Sequence, residues 1–342
     1  MTLLLGAPMG PQLTAALQAR VRLAGPLPPP LEQSVLDLPD EVRAQLAGCL
    51  VTGGARFPAA AMDALPNLGW IGCFGSGFEG VDVEAASARG IAVSHSPGAN
   101  AASVADLAMG LLIETVRGMP AARRRLESGT WHGNAAQPAE PVQGLTGRRV
   151  GIYGMGEIGL RIARRAEAFE MSVGYHNRRA RSDVSYAYFP TLLELAQWAD
   201  VLMVAVRADA GNRHAVDAEV LRALGPEGHV VNIARGFVID EAAMIEALEE
   251  GLIAGAGLDV FEHEPRVPPA LLALPNVALT PHVGGATRQA RAAMEALVLA
   301  NLDAFLAGEA LPNPVPGSIA RPSRRLIRCG TPRRTAVAGS AA

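Results

Sequence analysis

The stretch Val150-Gly151-Ile152-Tyr153-Gly154-Met155-Gly156-Glu157-Ile158-Gly159 decides the fold. A compact apolar run, Val150–Tyr153, reads as a buried strand, and a helical pattern, Glu157–Phe169, opens directly after it. Between them lies a G-x-G-x-x-G turn. Its first glycine makes the tight turn, its second lets backbone approach a pyrophosphate, and its third lets the helix pack on the strand. Diphosphate would then rest at the helix N-terminus, where backbone N–H groups and the helix dipole favour anions. Bare G-x-G-x-x-G is weak evidence, but set between a strand and a helix it points to dinucleotide binding by residues 154–159.

Outward from this turn the pattern repeats. Strands are expected at Val150–Tyr153, Ser172–Tyr175, Val201–Val206, Val230–Ile233 and Ala254–Leu258. They alternate with helices near 157–169, 191–198, 217–223 and 240–250, the succession of a doubly wound α/β domain. Before it, Thr2–Leu5, Cys49–Thr52, Trp70–Phe74 and Ile91–Val93 alternate with helical segments Leu13–Arg20, Ala59–Leu65 and Val83–Arg89, a second α/β pattern with a parallel sheet. A long helix over Ala101–Gly118 joins the two, followed by a polar stretch from Gly129 to Gly147. A last helix, roughly 287–306, precedes the Pro-rich Leu311–Gly317. These limits divide the chain into a discontinuous domain, 1–98 plus 287–316, a nucleotide-binding domain, 99–286, and a basic tail, 317–342, expected to be disordered.

Composition narrows the chemistry. The 342 residues carry a formal charge of −3, and from Ser318 onward there are six arginines and no acid, so the body before the tail is acidic. An acidic body repels nucleic acid, and no nucleic-acid partner is expected. The chain has no lysine, which excludes a lysine Schiff base and the lysine of a Walker-type phosphate loop. Composition bias alone accounts for this, and the exclusions hold regardless. Three cysteines without a C-x-x-C pair, no signal-like N-terminus and no long apolar run predict a cytoplasmic protein without disulfides, metal or membrane span.

Beyond the second strand of the nucleotide-binding region comes Asn177-Arg178-Arg179, with Arg181 close behind. NAD enzymes usually place a carboxylate here for the ribose 2′-hydroxyl. Guanidinium groups instead suit a 2′-phosphate, so NADPH is expected over NADH, with a solvated basic turn as the plain alternative.

Three further segments end expected strands in polar residues. They are Asn232-Ile233-Ala234-Arg235-Gly236, Asp259-Val260-Phe261-Glu262-His263-Glu264-Pro265 and Thr280-Pro281-His282-Val283-Gly284. Ligands of open α/β sheets bind beyond the carboxyl ends of strands. Reduction of a 2-oxo acid needs a cation to grip the carboxylate, which suits Arg235. It also needs a proton donor for the carbonyl oxygen, which suits His282, and a carboxylate such as Glu264 would orient the imidazole and raise its pKa. Taken singly, each has a plain reading: a surface Arg, a helix-flanking Glu, a satisfied core His. Glu262 and His263 read as surface residues.

In this order, Gly154–Gly159, Asn232–Gly236, Gly257–Pro265 and Pro281–Gly285 resemble the D-2-hydroxyacid dehydrogenase family over about residues 1–316. Leu224-Gly225-Pro226-Glu227-Gly228 and Arg178-Arg179 are similar to its NADPH-using hydroxypyruvate/glyoxylate and hydroxyphenylpyruvate reductases. The resemblance implies two Rossmann-like or flavodoxin-like α/β domains with parallel sheets, an active site in the cleft between them, and a homodimer. It implies that Arg235, Glu264 and His282 are catalytic, and that the backbone of Ser76 and Gly77, in Phe74-Gly75-Ser76-Gly77, helps Arg235 hold the carboxylate of a small 2-oxo acid. Ile233, Ala234 and Asp259 are implied as cofactor contacts, Asp259 toward the nicotinamide amide. Asn100 falls in an Asn-x-x-x-Val-Ala-Asp stretch at the crossover.

Val206-Arg207-Ala208-Asp209 departs from the family's common Pro-x-Thr, and the arginine tail has no counterpart. A dinucleotide-sensing, corepressor-like protein on the same fold is the alternative, separated by turnover of 2-oxo acids. Formate enzymes of the family resemble a His–Gln pairing, and Glu264 argues against that chemistry.

Overall fold

The computed structural model describes residues 1–131 and 142–322. The chain forms two compact units, one of Met1–Asn100 with the segment from Arg291 onward, the other Ala101–Ala290. The sequence reading set these limits at 98/99 and 286/287.

In the first unit, β1 (Thr2–Leu5), β2 (Arg22–Ala24), β3 (Leu46–Thr52), β4 (Trp70–Phe74) and β5 (Ala92–Ser94) form a parallel sheet in the order β2-β1-β3-β4-β5. Side chains alternate across the pleat. Leu4, Cys49, Val51, Ile71, Cys73 and Val93 join the core on one face, and Leu3, Leu5, Leu50, Trp70 and Ala92 the core on the other. Both faces are covered, which is why these strands read as continuous apolar runs. Leu302 and Phe305 of the helix Arg288–Ala307 close the second face, with Phe305 stacked 5.9 Å from Trp70.

In the second unit, β6 (Arg149–Tyr153), β7 (Ser172–His176), β8 (Ala187–Tyr188), β9 (Val201–Val204), β10 (His229–Asn232), β11 (Gly255–Leu258) and β12 (Val277–Leu279) are all parallel, in the order β12-β11-β10-β9-β6-β7-β8. Chain order reverses between β6 and β9, the switch point at which such sheets open a ligand crevice. Helices Ala101–Val116 and Glu157–Ala168 cover one face through Val104, Leu111, Leu112 and Ile162. Helices Leu192–Trp198, Ala218–Leu224 and Glu241–Glu249 cover the other through Leu195, Leu221, Met244 and Leu248.

The differences from expectation fall at edges. Strands β2 and β8 have three and two residues and escaped sequence reading, because so short a run carries no period. Helices Leu31–Leu36 and Asp40–Arg43 lie in a proline-flanked segment. The helix Met119–Glu127 buries none of its residues, so no apolar stripe announces it. The tail also differs from the reading of disorder from residue 317. The Val93 N–H donates to Ser318 Oγ (2.8 Å), the Leu311 N–H to the Ala320 carbonyl (2.8 Å), and Ile319 packs on the core. These bonds, with Pro314 bridged to Ser94, cover the edge strand β5, which would otherwise expose a row of pairing groups. The tail beyond Pro322, and residues 132–141 of the polar stretch, lie outside the described residues.

Candidate active site

Strands β10, β11 and β12 are neighbours, and each hands one functional side chain to the carboxyl edge of the second unit's sheet. Arg235 follows β10. Its backbone is fixed by the Asn232 side chain, whose Nδ2 donates to the Arg235 carbonyl (3.0 Å) and whose Oδ1 accepts from the Ala234 N–H (3.0 Å). Gly236 touches the next loop so closely that a Cβ there would stand 1.9 Å from the Phe261 carbonyl carbon. Any other residue at 236 would force the Arg235 and Glu264 loops apart.

After β11, Glu264 accepts from the Phe261 N–H through Oε1 (3.1 Å). Its Oε2 lies 2.7 Å from His282 Nδ1, on the loop after β12. His282 sits at φ 51°, a left-handed conformation that costs a non-glycine residue energy and persists only when the surroundings impose it. Asp259 imposes it. Buried at 2% exposure, its carboxylate accepts from Thr280 Oγ1 (2.6 Å) and the N–H groups of Val283 (2.8 Å) and Gly284 (2.9 Å), while its carbonyl accepts from the His282 N–H (2.9 Å).

The Glu264 hydrogen bond raises the His282 pKa above its ordinary value, against the opposing effects of burial and the Arg235 charge. Burial pushes Glu264 up, but the His282 hydrogen bond and charge, the Phe261 N–H and Arg235 outweigh it and hold the carboxyl below its usual range. The pair therefore favours imidazolium beside carboxylate. With Nδ1 given to Glu264, Nε2 is the nitrogen left to deliver a proton.

The glycine turn fits a dinucleotide diphosphate. Gly154 has φ 105°, and a Cβ on it would meet the Val206 backbone at 2.4 Å. A Cβ on Gly159 would meet the Gly154 carbonyl at 2.2 Å, so helix and strand touch there. Gly156 faces open space and caps the helix Glu157–Ala168 without a side-chain hydrogen bond, leaving the first-turn N–H groups of Glu157 and Ile158 to an incoming anion. Met155, by contrast, is 1% exposed and packs in the core, and its N–H donates to Asn177 Oδ1 (2.7 Å). Asn177 thus braces the phosphate loop. Arg181 does so as well, donating to the Met155 carbonyl (2.7 Å) while paired with Asp183. Arg178 and Arg179 stand exposed after β7. Ile233 and Ala234 are buried, so only their backbone is available to a ligand.

In the first unit, Ser76 follows β4 and donates to Asn100 Oδ1 (2.8 Å) and the Ser96 carbonyl (3.1 Å). Its own carbonyl meets His95 Nδ1 at 2.9 Å. A Cβ on Gly53 would stand 2.1 Å from the Gly77 carbonyl oxygen, so Gly77 is held against the loop after β3.

Sequence reasoning missed three features. Glu262 is not a surface residue: its side chain is 11% exposed and takes His214 Nε2 (3.0 Å) and the Arg213 guanidinium. Its N–H donates to Glu241 (3.2 Å), tying the Glu264 loop to its neighbours. Tyr153 and His176, with rings 5.6 Å apart, flank the glycine turn, and Asp209 reaches Arg178. No single motif signals these contacts, because their partners are distant in sequence.

Among the described residues no group of His, Cys, Asp and Glu is arranged to hold a metal, and no helix is long and apolar enough to cross a membrane. The family model for the NAD binding domain of D-isomer specific 2-hydroxyacid dehydrogenases matches residues 109–284. The chain is 42% identical to glyoxylate/hydroxypyruvate reductase A of Arabidopsis thaliana over 78% of this chain and 84% of that one. It is 37% identical to hydroxyphenylpyruvate reductase of Plectranthus scutellarioides, over 90% and 96%. The crystal structure of an NADPH-dependent glyoxylate/hydroxypyruvate reductase from Sinorhizobium meliloti, in complex with NADP and malonate, superimposes with a TM-score of 0.86 at 41% identity, over 94% of this chain and 98% of that one. These relatives are reductases, and the corepressor-like alternative gains no support from them.

Proposed function

The chain belongs to the D-isomer specific 2-hydroxyacid dehydrogenase family, and on that premise we propose that it reduces small 2-oxo acids to D-2-hydroxy acids with NADPH. The observation that carries the reading is the 2.7 Å contact between His282 and Glu264, within reach of the Arg235 charge, at the ends of three adjacent strands. Arg235 binds the substrate carboxylate through its planar fork. A reduced nicotinamide dinucleotide held at the glycine turn would supply the hydride that the carbonyl carbon receives. His282 gives the Nε2 proton to the carbonyl oxygen as negative charge develops there, and Glu264 stabilises the imidazolium beforehand. The neutral imidazole then regains a proton from solvent.

Gly154, Gly156, Glu157, Ile158 and Gly159 would hold the diphosphate, Arg178 and Arg179 the 2′-phosphate, and Asp259 the loop that presents His282 to substrate. Exposed guanidinium groups where NAD enzymes usually carry an acid support NADPH over NADH. The relatives' names support glyoxylate, hydroxypyruvate and hydroxyphenylpyruvate as substrates. A cytoplasmic homodimer is part of the proposal. The dimer is supported by the exposed apolar side chains Met119, Leu126, Trp131 and Val142 on and near a helix that buries nothing of its own. Steady-state kinetics on the three acids with NADPH and NADH test the reading. Turnover of none of them by a folded protein contradicts it.

A further inference from the structure

The loop after β9 places a carboxylate beside Arg178, one of the two proposed 2′-phosphate arginines. Arg178 leaves the end of β7 and Asp209 follows β9, with β6 between those strands in the sheet. Across the end of β6, Arg178 Nη1 and Asp209 Oδ2 stand 3.8 Å apart. Asp209 is no loose surface acid. Its Oδ1 accepts from the Gly211 N–H (2.9 Å), and its N–H donates to Asn212 Oδ1 (2.9 Å). Asn212, itself buried, donates back to the Arg207 carbonyl (2.8 Å). This reciprocal cap fixes the direction of Oδ2, the oxygen it leaves for outside partners. Tyr153, the last residue of β6, senses both charges. Burial raises its hydroxyl, Asp209 raises it further, and Arg178 opposes.

We infer that Asp209 is a second determinant of cofactor choice, opposing Arg178: it weakens binding of a 2′-phosphorylated dinucleotide and favours one with a free 2′-hydroxyl. The argument rests on the reading that Arg178 and Arg179 receive the 2′-phosphate. A phosphate dianion drawn to Arg178 comes within a few ångströms of the Asp209 carboxylate, which repels it and competes for the same guanidinium. A ribose 2′-hydroxyl carries no such charge and can donate to an acceptor of this kind, as it does to the usual acid after the second strand. In this chain an acid stands instead on the loop after β9, where it faces Arg178. Discrimination against NADH is therefore narrower than Arg178 and Arg179 alone would give.

Isothermal titration of NADPH and NADH tests this on the parent protein, Asp209→Asn, Arg178→Ala and the double variant, at low and high salt. Asparagine retains the Oδ1 cap on Gly211, so the loop keeps its shape. Asp209→Asn should tighten NADPH roughly 3–10-fold at low salt, leave NADH unchanged or weaker by about 2-fold, and lose most of its effect at high salt. In the Arg178→Ala background the gain should shrink, because the competed partner is gone. An Asp209→Asn protein whose NADPH affinity stays within 2-fold of the parent, while Arg178→Ala weakens NADPH alone, overturns the inference and leaves the cofactor reading standing. If Arg178→Ala leaves NADPH binding untouched, the reading itself falls and the inference with it.

Discussion

Glu264 Oε2 meets His282 Nδ1 at 2.7 Å, and the two groups shift each other's protonation in opposite directions: histidine up, carboxyl down. The proton on the imidazole is thus held to higher pH than an isolated histidine would hold it. Part of the cost of its unusual backbone is met by Asp259, which binds the flanking loop at Thr280, Val283 and Gly284.

Glu264→Gln keeps the shape and removes the charge. The His282 pKa should fall, so kcat for reduction should decline at lower pH than in the parent. The sign in stability is the same. A histidine whose folded pKa is raised contributes stability below its unfolded value, and that contribution is lost as pH rises through the folded pKa. The parent's advantage over Glu264→Gln in urea titrations should therefore be larger just below pH 6.5, where Glu264 is still ionised, than well above it, and should fade again in acid as the carboxylate takes up its proton. Superimposable kcat–pH profiles would show that Glu264 does not act through the histidine.

His229 begins β10 with 7% exposure, and burial, reinforced by the Arg148 charge, lowers its pKa to about 4. Here the sign reverses. Between about pH 6.5 and 4 the unfolded chain takes up a proton that the folded chain refuses, so stability falls as pH falls, by about 1.4 kcal/mol per unit and roughly 3 kcal/mol in all. His229→Gln cannot titrate. Its stability should decline less steeply than the parent's over that window in denaturant titrations, and parallel declines would refute the assignment.

The end of the described chain belongs to the first unit. Truncation after Gly317 removes the Ser318 and Ala320 hydrogen bonds and the Ile319 contact. The loss should be on the order of 1–3 kcal/mol, visible as a lowered Tm. Truncation after Pro322 retains all of these, and its Tm should exceed that of the shorter chain. Equal Tm values for both truncations would contradict a structural role for residues 318–322.

Much of this was legible in the sequence, for physical reasons that differ by element. Strands such as Val150–Tyr153 and Trp70–Phe74 are buried on both faces and announce themselves as apolar runs. The glycine turn is legible because its three backbone demands admit few other residues. Arg235, Glu264 and His282 stand out because each ends a strand in a polar side chain. Strand β8, with two residues, and the unburied helix Met119–Glu127 leave no periodic trace. Glu262 looked like surface, since nothing local reveals that His214, 48 residues earlier, reaches it. The bracing roles of Asn177 and Asp259 were hidden for the same reason. A residue type suited to a ligand is equally suited to a neighbouring backbone N–H, and only the fold decides between them.

His282 delivers the proton to the substrate carbonyl oxygen in the proposed reaction. The most direct test of this step is kcat for reduction of hydroxypyruvate and glyoxylate by His282→Ala, with NADPH affinity measured on the same preparation. Loss of the imidazole should lower kcat by roughly 10²–10⁴ with NADPH binding preserved. A His282→Ala protein that binds NADPH and turns over at near the parental rate would contradict it.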